Sequence, residues 1–464
     1  MNNAGSKRED RMNRMDRITV IGAGVSGRAL AILASKLGYS VFVSELASVD
    51  TETRELFHRY GIVHESDGHS ERILECDAMV LSSGVSPRAR PVTRALEEGV
   101  AIIGEVDFVA PFLKGAMIGV TGSNGKTTTT LLTGHLLKDS GFRVGVAGNV
   151  GSPLADHAFV ENDVVVAELS SFQLFWAQEL SLDVAVVTNL EPDHIDWHGS
   201  VEDYYQAKRK ITSMLKEGGS LVCQERDLPV LYLEGPPSGI VFPLRWQKES
   251  DRRHREGLLM KDDHAVMISG ASEKNLFRYT DVPLLGRHNL ENAAMSSATL
   301  IIQGGGAGTL KRSLATFEAP PHRCEPVGIV KGVSFIDDSK GTNVAATVTA
   351  LGSLEGRKVV ILGGKGKGEN YDLLAEAVAK GSEAAILLGE EKTRIRVALE
   401  KKGFQRIKEV SDMGEAVREA FRASSPGGMV LLSPACTSWD MYTNYKERGE
   451  DFQKWVKALE KGRY

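Results

Sequence analysis

The densest chemistry in the chain lies in the run Val120-Thr121-Gly122-Ser123-Asn124-Gly125-Lys126-Thr127-Thr128. An apolar strand pattern, Met117 to Val120, runs into it and a helical pattern leaves it. Backbone N–H groups of such a loop cradle phosphates, helped by the positive end of the helix that follows. Lys126 would neutralise charge on β- and γ-phosphates, and the Thr127 hydroxyl would ligate Mg²⁺. The run departs from GxxxxGK[ST] at its first position, where Val120 stands, but Gly122 and Gly125 still supply backbone freedom. The competing reading is an ordinary glycine turn before a helix, and GKTT after an apolar strand is rare by accident.

A second glycine turn, Gly22-Ala23-Gly24-Val25-Ser26-Gly27, fits GxGxxG between a strand and a helix. Glu45 follows at the end of the next strand, Val41 to Ser44, where it could meet a ribose hydroxyl. Alone, this motif suggests a nicotinamide dinucleotide, or only close packing of helix on strand. A nicotinamide enzyme has no need of the phosphate loop, so a UDP moiety is the better ligand for this geometry. Ser82-Ser83-Gly84-Val85-Ser86, after the strand Ala78 to Leu81, could add backbone donors at the same rim.

Val164 to Ala167 reads as a buried strand ending at Glu168, with Leu169-Ser170-Ser171-Phe172-Gln173 beyond it. A carboxylate there suits Mg²⁺, which takes oxygen donors and often uses only one or two carboxylates. In isolation an N-capping or ion-paired glutamate is the favoured reading. Val184 to Val187 is another strand, leading into Thr188-Asn189-Leu190-Glu191-Pro192-Asp193-His194-Ile195-Asp196-Trp197-His198. So dense a cluster of His and Asp beyond a strand points to a polar active-site loop. Tyr204-Tyr205-Gln206-Ala207-Lys208-Arg209-Lys210 lies on a helix and by itself reads as a solvated basic face.

These loops need strands to hold them. Apolar strands open three segments, at Ile18 to Ile21, at Met117 to Val120, and at Ser334 to Ile336 with Lys358 to Leu362. Amphipathic stretches such as Ala29 to Leu37 and Thr128 to Leu137 follow at helical spacing. Strand–helix alternation of this kind predicts the α/β class with parallel sheets, whose ligand sites lie beyond the carboxyl ends of the strands. Boundaries near Gly104 and at Ala319-Pro320-Pro321 divide the chain into 1–104, 105–319 and 320–464. Residues 235–274, rich in charge and turn formers, are expected as exposed strands or loops of the middle segment.

With 464 residues, several domains can each bury a core without disulfide or metal staples. A net charge of -5 from 56 basic and 61 acidic residues leaves no footprint for nucleic acid and no polybasic membrane patch. Cys76, Cys223, Cys324 and Cys436 are far apart with no CxxC pair, which suits a reducing cytoplasm. The polar tail Met1 to Arg17 lacks the apolar stretch of a signal peptide and is expected to be mobile and dispensable. No run approaches the ~20 apolar residues that span a bilayer.

Together these pieces resemble the Mur ligase family, which builds the peptide of bacterial cell-wall precursors. The resemblance runs from Ile18 onward and rests on Thr121 to Thr128, Glu168 to Gln173, Asn189 to Asp196, Gly286-Arg287-His288-Asn289-Leu290-Glu291-Asn292, Pro321-His322-Arg323 and Asp338-Ser339-Lys340. It implies three domains: an N-terminal Rossmann-like nucleotide-binding domain for the UDP substrate, a central P-loop ATPase-like domain, and a C-terminal Rossmann-like parallel sheet for the amino acid.

It implies ATP held by Gly122, Ser123, Asn124, Gly125, Lys126, Thr127 and Thr128, with Asn289 and Asn292 near the nucleotide, Arg323 on phosphate and Asp338 on the ribose. Mg²⁺ would be held by Thr127, Glu168, His194 and Lys208. Lys208 matches a lysine that family members carry as a carbamate, whose anionic oxygens suit a metal where a bare ammonium would repel it. Lys126, His194, Lys208 and Arg323 are the implied catalytic residues. The UDP-muramoyl substrate would meet Ser26, Glu45, Ser83, Gly84, Asn149, Ser170 and Gln173.

The segment Ser433-Pro434-Ala435-Cys436-Thr437-Ser438-Trp439-Asp440-Met441-Tyr442 is similar to that of members adding D-glutamate to UDP-N-acetylmuramoyl-L-alanine. There Ser438 and Lys367 would hold the glutamate carboxylates, with Thr342 and Tyr445 nearby; a helix N-terminus beside the Ser438 hydroxyl would make a carboxylate receptor. Lys365 stands where an acidic residue is common, and Tyr445 where an aromatic without a hydroxyl can occur. The Asp-Asn-Pro-Arg motif of enzymes adding a diamino acid is absent. A monomer acting in the cytoplasm is expected. The competing readings are a sister ligase for another amino acid, a folate-extending ligase, a nicotinamide oxidoreductase, and a P-loop switch protein that signals through a partner.

Overall fold

In the computed structural model, residues 15–247 and 256–462 are described; most of the N-terminal tail, residues 1–14, lies outside them. Apolar runs become strands buried on both faces, as parallel sheets require, and turn residues at their carboxyl ends carry the polar groups.

The first sheet holds β1 (Arg17–Ile21), β2 (Ser40–Ser44), β3 (Val63–Glu65), β4 (Ala78–Leu81) and β5 (Ala101–Gly104), in the order β3-β2-β1-β4-β5. All its pairings are parallel. Strand order reverses between β1 and β4, and a crevice opens beyond the carboxyl ends at such a point. The Gly22–Gly27 turn and the Ser82–Ser86 loop are the segments that leave those two strands.

The second sheet has nine strands: β6 (Ala116–Thr121), β7 (Val144–Gly148), β8 (Val164–Glu168), β9 (Leu182–Val187), β10 (Leu215–Gln224), β11 (Ile240–Trp246), β12 (Glu256–Met260), β13 (His264–Ser269) and β14 (Ser272–Arg278). Their order is β14-β13-β12-β11-β10-β9-β6-β8-β7. Register sets the chemistry here, because Val120 lies opposite Glu168 and Thr121 opposite Val187. The phosphate loop, the Glu168 turn and the Thr188-Asn189 turn therefore leave three adjacent strands side by side. The charged stretch 235–274 supplies strands of this sheet, with Leu258, Met260, Ala265 and Val266 buried.

The third sheet comprises β15 (Glu325–Val330), β16 (Val333–Asp337), β17 (Lys358–Gly363), β18 (Ala384–Leu388), β19 (Ile407–Glu409) and β20 (Met429–Leu432), in the order β15-β16-β20-β17-β18-β19. Only β15 pairs antiparallel.

By contacts the chain forms two compact units. One holds the chain as far as Leu190, then Trp197–Phe277 and Met295–Ser313; the other holds Glu191–Asp196, Arg278–Ala294 and Leu314–Tyr464. Within the first unit a single apolar core runs from Val20, Leu30 and Phe57 through Val106 and Phe108 to Val165, Leu182 and Ile211. Among the described residues no helix is long and apolar enough to cross a membrane. All four cysteines are free.

Candidate functional site

Helix α1 (Val25–Lys36) begins directly after the first glycine turn. A Cβ on Gly27 would lie 2.0 Å from the Gly22 carbonyl oxygen, so only glycine lets the helix sit this close to its strand. The Glu45 carboxylate accepts from the Ala23 N–H at 2.6 Å and the Ala47 N–H at 3.0 Å, bracing the turn from behind. Across the crevice the Ser26 and Ser83 hydroxyls stand 3.4 Å apart.

The short helix α2 (Glu105–Val109) follows β5 and is wholly buried. Its Glu105 carboxylate accepts from the Ser83 hydroxyl, and from the Gln173 amide at 3.4 Å.

Helix α3 (Lys126–Asp139) starts at the phosphate loop, and Gly125 before it takes φ +82°, the left-handed region that favours glycine. Asn189 braces the loop by accepting from Asn124 N–H at 3.0 Å and donating to its carbonyl at 2.9 Å. The Lys126 ammonium donates to the carbonyls of Gly122 and Ser123, at 2.8 and 2.9 Å.

Glu168 ends β8 and is 1% exposed. One oxygen accepts from the Asn149 amide at 2.8 Å, while Oε2 is buried without a hydrogen-bond partner. A buried carboxylate oxygen of this kind costs free energy unless a ligand satisfies it, and a hard divalent cation is the ligand that fits oxygen donors. Asn149, expected on the substrate, thus also holds the metal-binding candidate.

Helix α4 (Ser171–Trp176) opens with a capping box in which Ser170 accepts from Gln173 N–H and the Gln173 side chain accepts from Ser170 N–H. These two residues are therefore set rigidly at a helix entrance.

Helix α5 (Val201–Ser213) carries Lys208, and here the solvated basic face fails. Lys208 is 1% exposed because α5 lays it against β6 and its loop, and Arg209 is buried too, its guanidinium donating to Glu234 at 2.9 Å. The Lys208 ammonium donates to the Gly122 carbonyl at 2.6 Å and lies 5.0 Å from the Tyr204 ring centroid. Tyr204 in turn hydrogen-bonds Ser123 at 2.9 Å. Two lysines thus share the Gly122 carbonyl.

The second unit carries the remaining candidates. On α6 (Arg287–Ile302), Asn289 donates to the Leu285 carbonyl at 2.7 Å and Asn292 to the Asn289 side chain at 3.1 Å, so both amides are oriented locally. Asp338 follows β16 and accepts from Ser433 at 2.7 Å; burial raises its carboxyl to about 7. Beside half-buried Arg323, the His322 ring bonds Asp337 at 2.7 Å, which holds the imidazole above its usual range. His322 and His194 have φ of +63° and +52°, a cost of about 1–3 kcal/mol each that surrounding structure must hold in place.

A cavity of about 530 Å³ opens between the Glu191–Asp196 segment and the third sheet's loops. Asp193, His194, Asn343, Lys367 and Leu373 line it. Asn343, which also caps α7 (Val344–Ser353), donates to Asp193 at 2.9 Å, and the Lys367 ammonium stands 3.9 Å from the same carboxylate. Lys365 is exposed and pairs its backbone with Thr437, so Lys367 is the lysine presented to the cavity.

Thr342 adjoins Asn343, whereas Ser438 and Tyr445 are not among the lining residues. Ser438 is buried, and its carbonyl accepts from Tyr442 N–H at 2.8 Å. The expected helix N-terminus at Ser438 lies elsewhere: α8 (Tyr445–Glu460) begins later and is capped by Asn444.

Sequence comparison supplies the family. Residues 17–90 match the MurD N-terminal domain, 120–300 the Mur ligase middle domain and 322–436 the Mur ligase glutamate ligase domain. The chain is 35% identical over 451 residues to the UDP-N-acetylmuramoylalanine–D-glutamate ligase of Bacteroides fragilis, covering 96% of this chain and 100% of that protein. The enzyme of that name from Pelotomaculum thermopropionicum is 36% identical over 452 residues, covering 96% and 98%. This chain belongs to the Mur ligase family.

Two solved structures share the fold. A pseudomurein peptide ligase type C from Methanothermus fervidus superposes with a TM-score of 0.59 at 19% identity, and the UDP-N-acetylmuramate–alanine ligase of Thermotoga maritima with 0.58 at 19%; both cover 96% of this chain and 100% of theirs. Membership sets aside the oxidoreductase and the signalling switch. Four groups of this Mur ligase had no role assigned from sequence: Glu105, Asn189, Asp193 and Asn343. The Asn189–Asp196 run marked a polar loop, but its loop-bracing and cavity-lining members emerge only when strands β6 and β9 are adjacent and Asn343 is close by.

Proposed function

We infer that this Mur ligase is an ADP-forming peptide synthase that joins D-glutamate to UDP-N-acetylmuramoyl-L-alanine in the cytoplasm, as a step of cell-wall precursor synthesis. The observation carrying the reading is likeness to D-glutamate ligases along 96% of the chain, with an N-terminal domain of their own type.

The alanyl carboxylate attacks the γ-phosphorus of ATP, giving an acyl phosphate and ADP. The D-glutamate amine then attacks the acyl carbon, and collapse of the tetrahedral intermediate forms the amide and releases phosphate. Lys126 and the loop N–H groups, with Arg323, hold and neutralise the transferring phosphoryl group. Asp338, Asn289 and Asn292 orient the nucleotide. Ser26, Glu45, Ser83, Gly84, Asn149, Ser170 and Gln173 place the UDP-linked substrate, while Lys367, Thr342, Ser438 and Tyr445 receive glutamate. Water must be kept from the acyl phosphate, which would otherwise hydrolyse.

Mg²⁺ would be held by Thr127, Glu168, His194 and Lys208 and would supply charge neutralisation for the triphosphate. The unpartnered Glu168 oxygen supports that assignment. Lys208 would join the ligand set as a carbamate, formed when its neutral amine adds carbon dioxide and loses a proton.

The test uses purified full-length protein with ATP, Mg²⁺, UDP-N-acetylmuramoyl-L-alanine and a panel of L- and D-amino acids. Phosphate release and product mass are measured. A new amide with D-glutamate is expected; ligation of another amino acid in preference to D-glutamate would overturn the assignment.

A further inference from the structure

Glu105 is 3% exposed, yet no cation faces it among its hydrogen-bond partners. One carboxylate oxygen takes the Ser83 hydroxyl and the Gln173 amide; the other, Oε1, is buried with no partner. Ser83 also stands 3.4 Å from Ser26. Three segments of the first unit thus meet at this side chain: the first glycine turn, the loop after β4, and the entrance of α4.

Two indoles hold the same loop. The Trp197 N–H donates to the Gly84 carbonyl at 3.1 Å, and the Trp176 N–H to the Val85 carbonyl at 3.3 Å. With those carbonyls fixed, the peptide planes of the loop are fixed as well, and so are the directions of their N–H groups.

We propose that Glu105 is a positioning residue for the UDP-linked substrate: it locks Ser83, Ser26 and Gln173 into one hydrogen-bonded frame, which Trp176 and Trp197 brace through the neighbouring carbonyls. The inference rests on the reading that Ser26, Ser83 and Gln173 meet that substrate. Burial also pushes the Glu105 carboxyl upward.

The frame separates positioning from folding. Removing one partner of a buried hydrogen bond costs stability, because the Ser83 hydroxyl and the Gln173 amide lose their acceptor, but by less than the whole stability of a domain. Glu105→Leu is therefore expected to melt lower yet stay folded while releasing Ser83 and Gln173. Its KM for UDP-N-acetylmuramoyl-L-alanine should rise about tenfold, the scale of one or two lost hydrogen bonds. KM for ATP and for D-glutamate, and kcat, should stay close to wild type. Glu105→Gln, which keeps an acceptor at the same place without charge, should restore KM.

Direct calorimetric binding of the sugar nucleotide to each variant provides a second readout. A folded Glu105→Leu that binds the sugar nucleotide like wild type overturns the proposal. So does failure of both Glu105→Leu and Glu105→Ala to fold, because the role would then be structural. If wild-type protein itself does not bind the sugar nucleotide, the functional reading falls and takes this inference with it.

Discussion

Glu168 and Lys208 are each 1% exposed. Glu168 keeps an oxygen without a partner, and the Lys208 ammonium rests on a backbone carbonyl and an aromatic ring. A carbamate would turn that cation into an anion and give the metal an oxygen ligand beside those of Thr127 and Glu168. Lys208→Ala is expected to cut phosphate release roughly a hundredfold or more, with partial recovery in acetate or formate; unaltered turnover would remove the carbamate. Wild-type activity should also decline in buffer stripped of carbon dioxide and return with bicarbonate. Asp338 offers a test in pH. Its folded carboxyl, raised to about 7 by burial, lies above the ordinary value near 3.8. Between those values the unfolded chain has lost the proton and the folded chain keeps it, so its contribution to stability falls as pH rises from about 4 to about 7 and is then constant. Unfolding midpoints of Asp338→Asn against pH should lack this part of the slope. The ionised form is the better acceptor for ribose hydroxyls, so ATP should bind wild type more tightly as pH rises through about 7, a trend the Asn variant loses.

Elements explain which of these residues could be read in advance. Strands and glycine turns are local features: β1, β6, β8 and β9 followed apolar runs, and Lys126, Thr127 and Glu168 fell at their ends because the chain leaves a parallel sheet there. Helix α5 was harder. Its periodicity shows two faces but not what covers them, so the packing of Lys208 against the phosphate loop was invisible until α5 met β6. Glu105 was harder still, since its partners Ser83 and Gln173 stand 22 and 68 residues away. Likewise Ser438 signalled a helix start that the chain delays to Tyr445, where Asn444 caps the helix by accepting two N–H groups. The first glycine turn makes a prediction at this scale. Gly27→Ala would drive a methyl against the Gly22 carbonyl, whereas a Cβ on Gly24 meets nothing within 4 Å. Thermal melts should show Gly27→Ala destabilised by about 1–3 kcal/mol and Gly24→Ala close to wild type. Equal melting temperatures would show that α1 does not press on β1 as described.

For the molecule as a whole, stability comes from packed cores with no covalent crosslinks, all four cysteines being free. Cys223, Cys324 and Cys436 are buried and burial raises their thiols, while Cys76 is only partly covered. A native thiol titration should therefore register one slowly reacting group, rising to four in denaturant, and reducing agents should leave the melting temperature unchanged. Rapid reaction of several thiols in native protein would contradict this packing. The parallel α/β class and the loops at strand ends were legible from sequence, because patterning fixes them locally. The sharing of one core by the first two sheets was not, since no pattern within either segment encodes its neighbour. That shared core has a practical result. Gly104 lies so close to Trp176 that a methyl there would collide with it, and Asp107 receives the N–H groups of Gln178 and Glu179. A truncated gene ending at residue 104 would strip Val20, Leu30 and Phe57 of part of their apolar cover, and its product should accumulate as inclusion bodies.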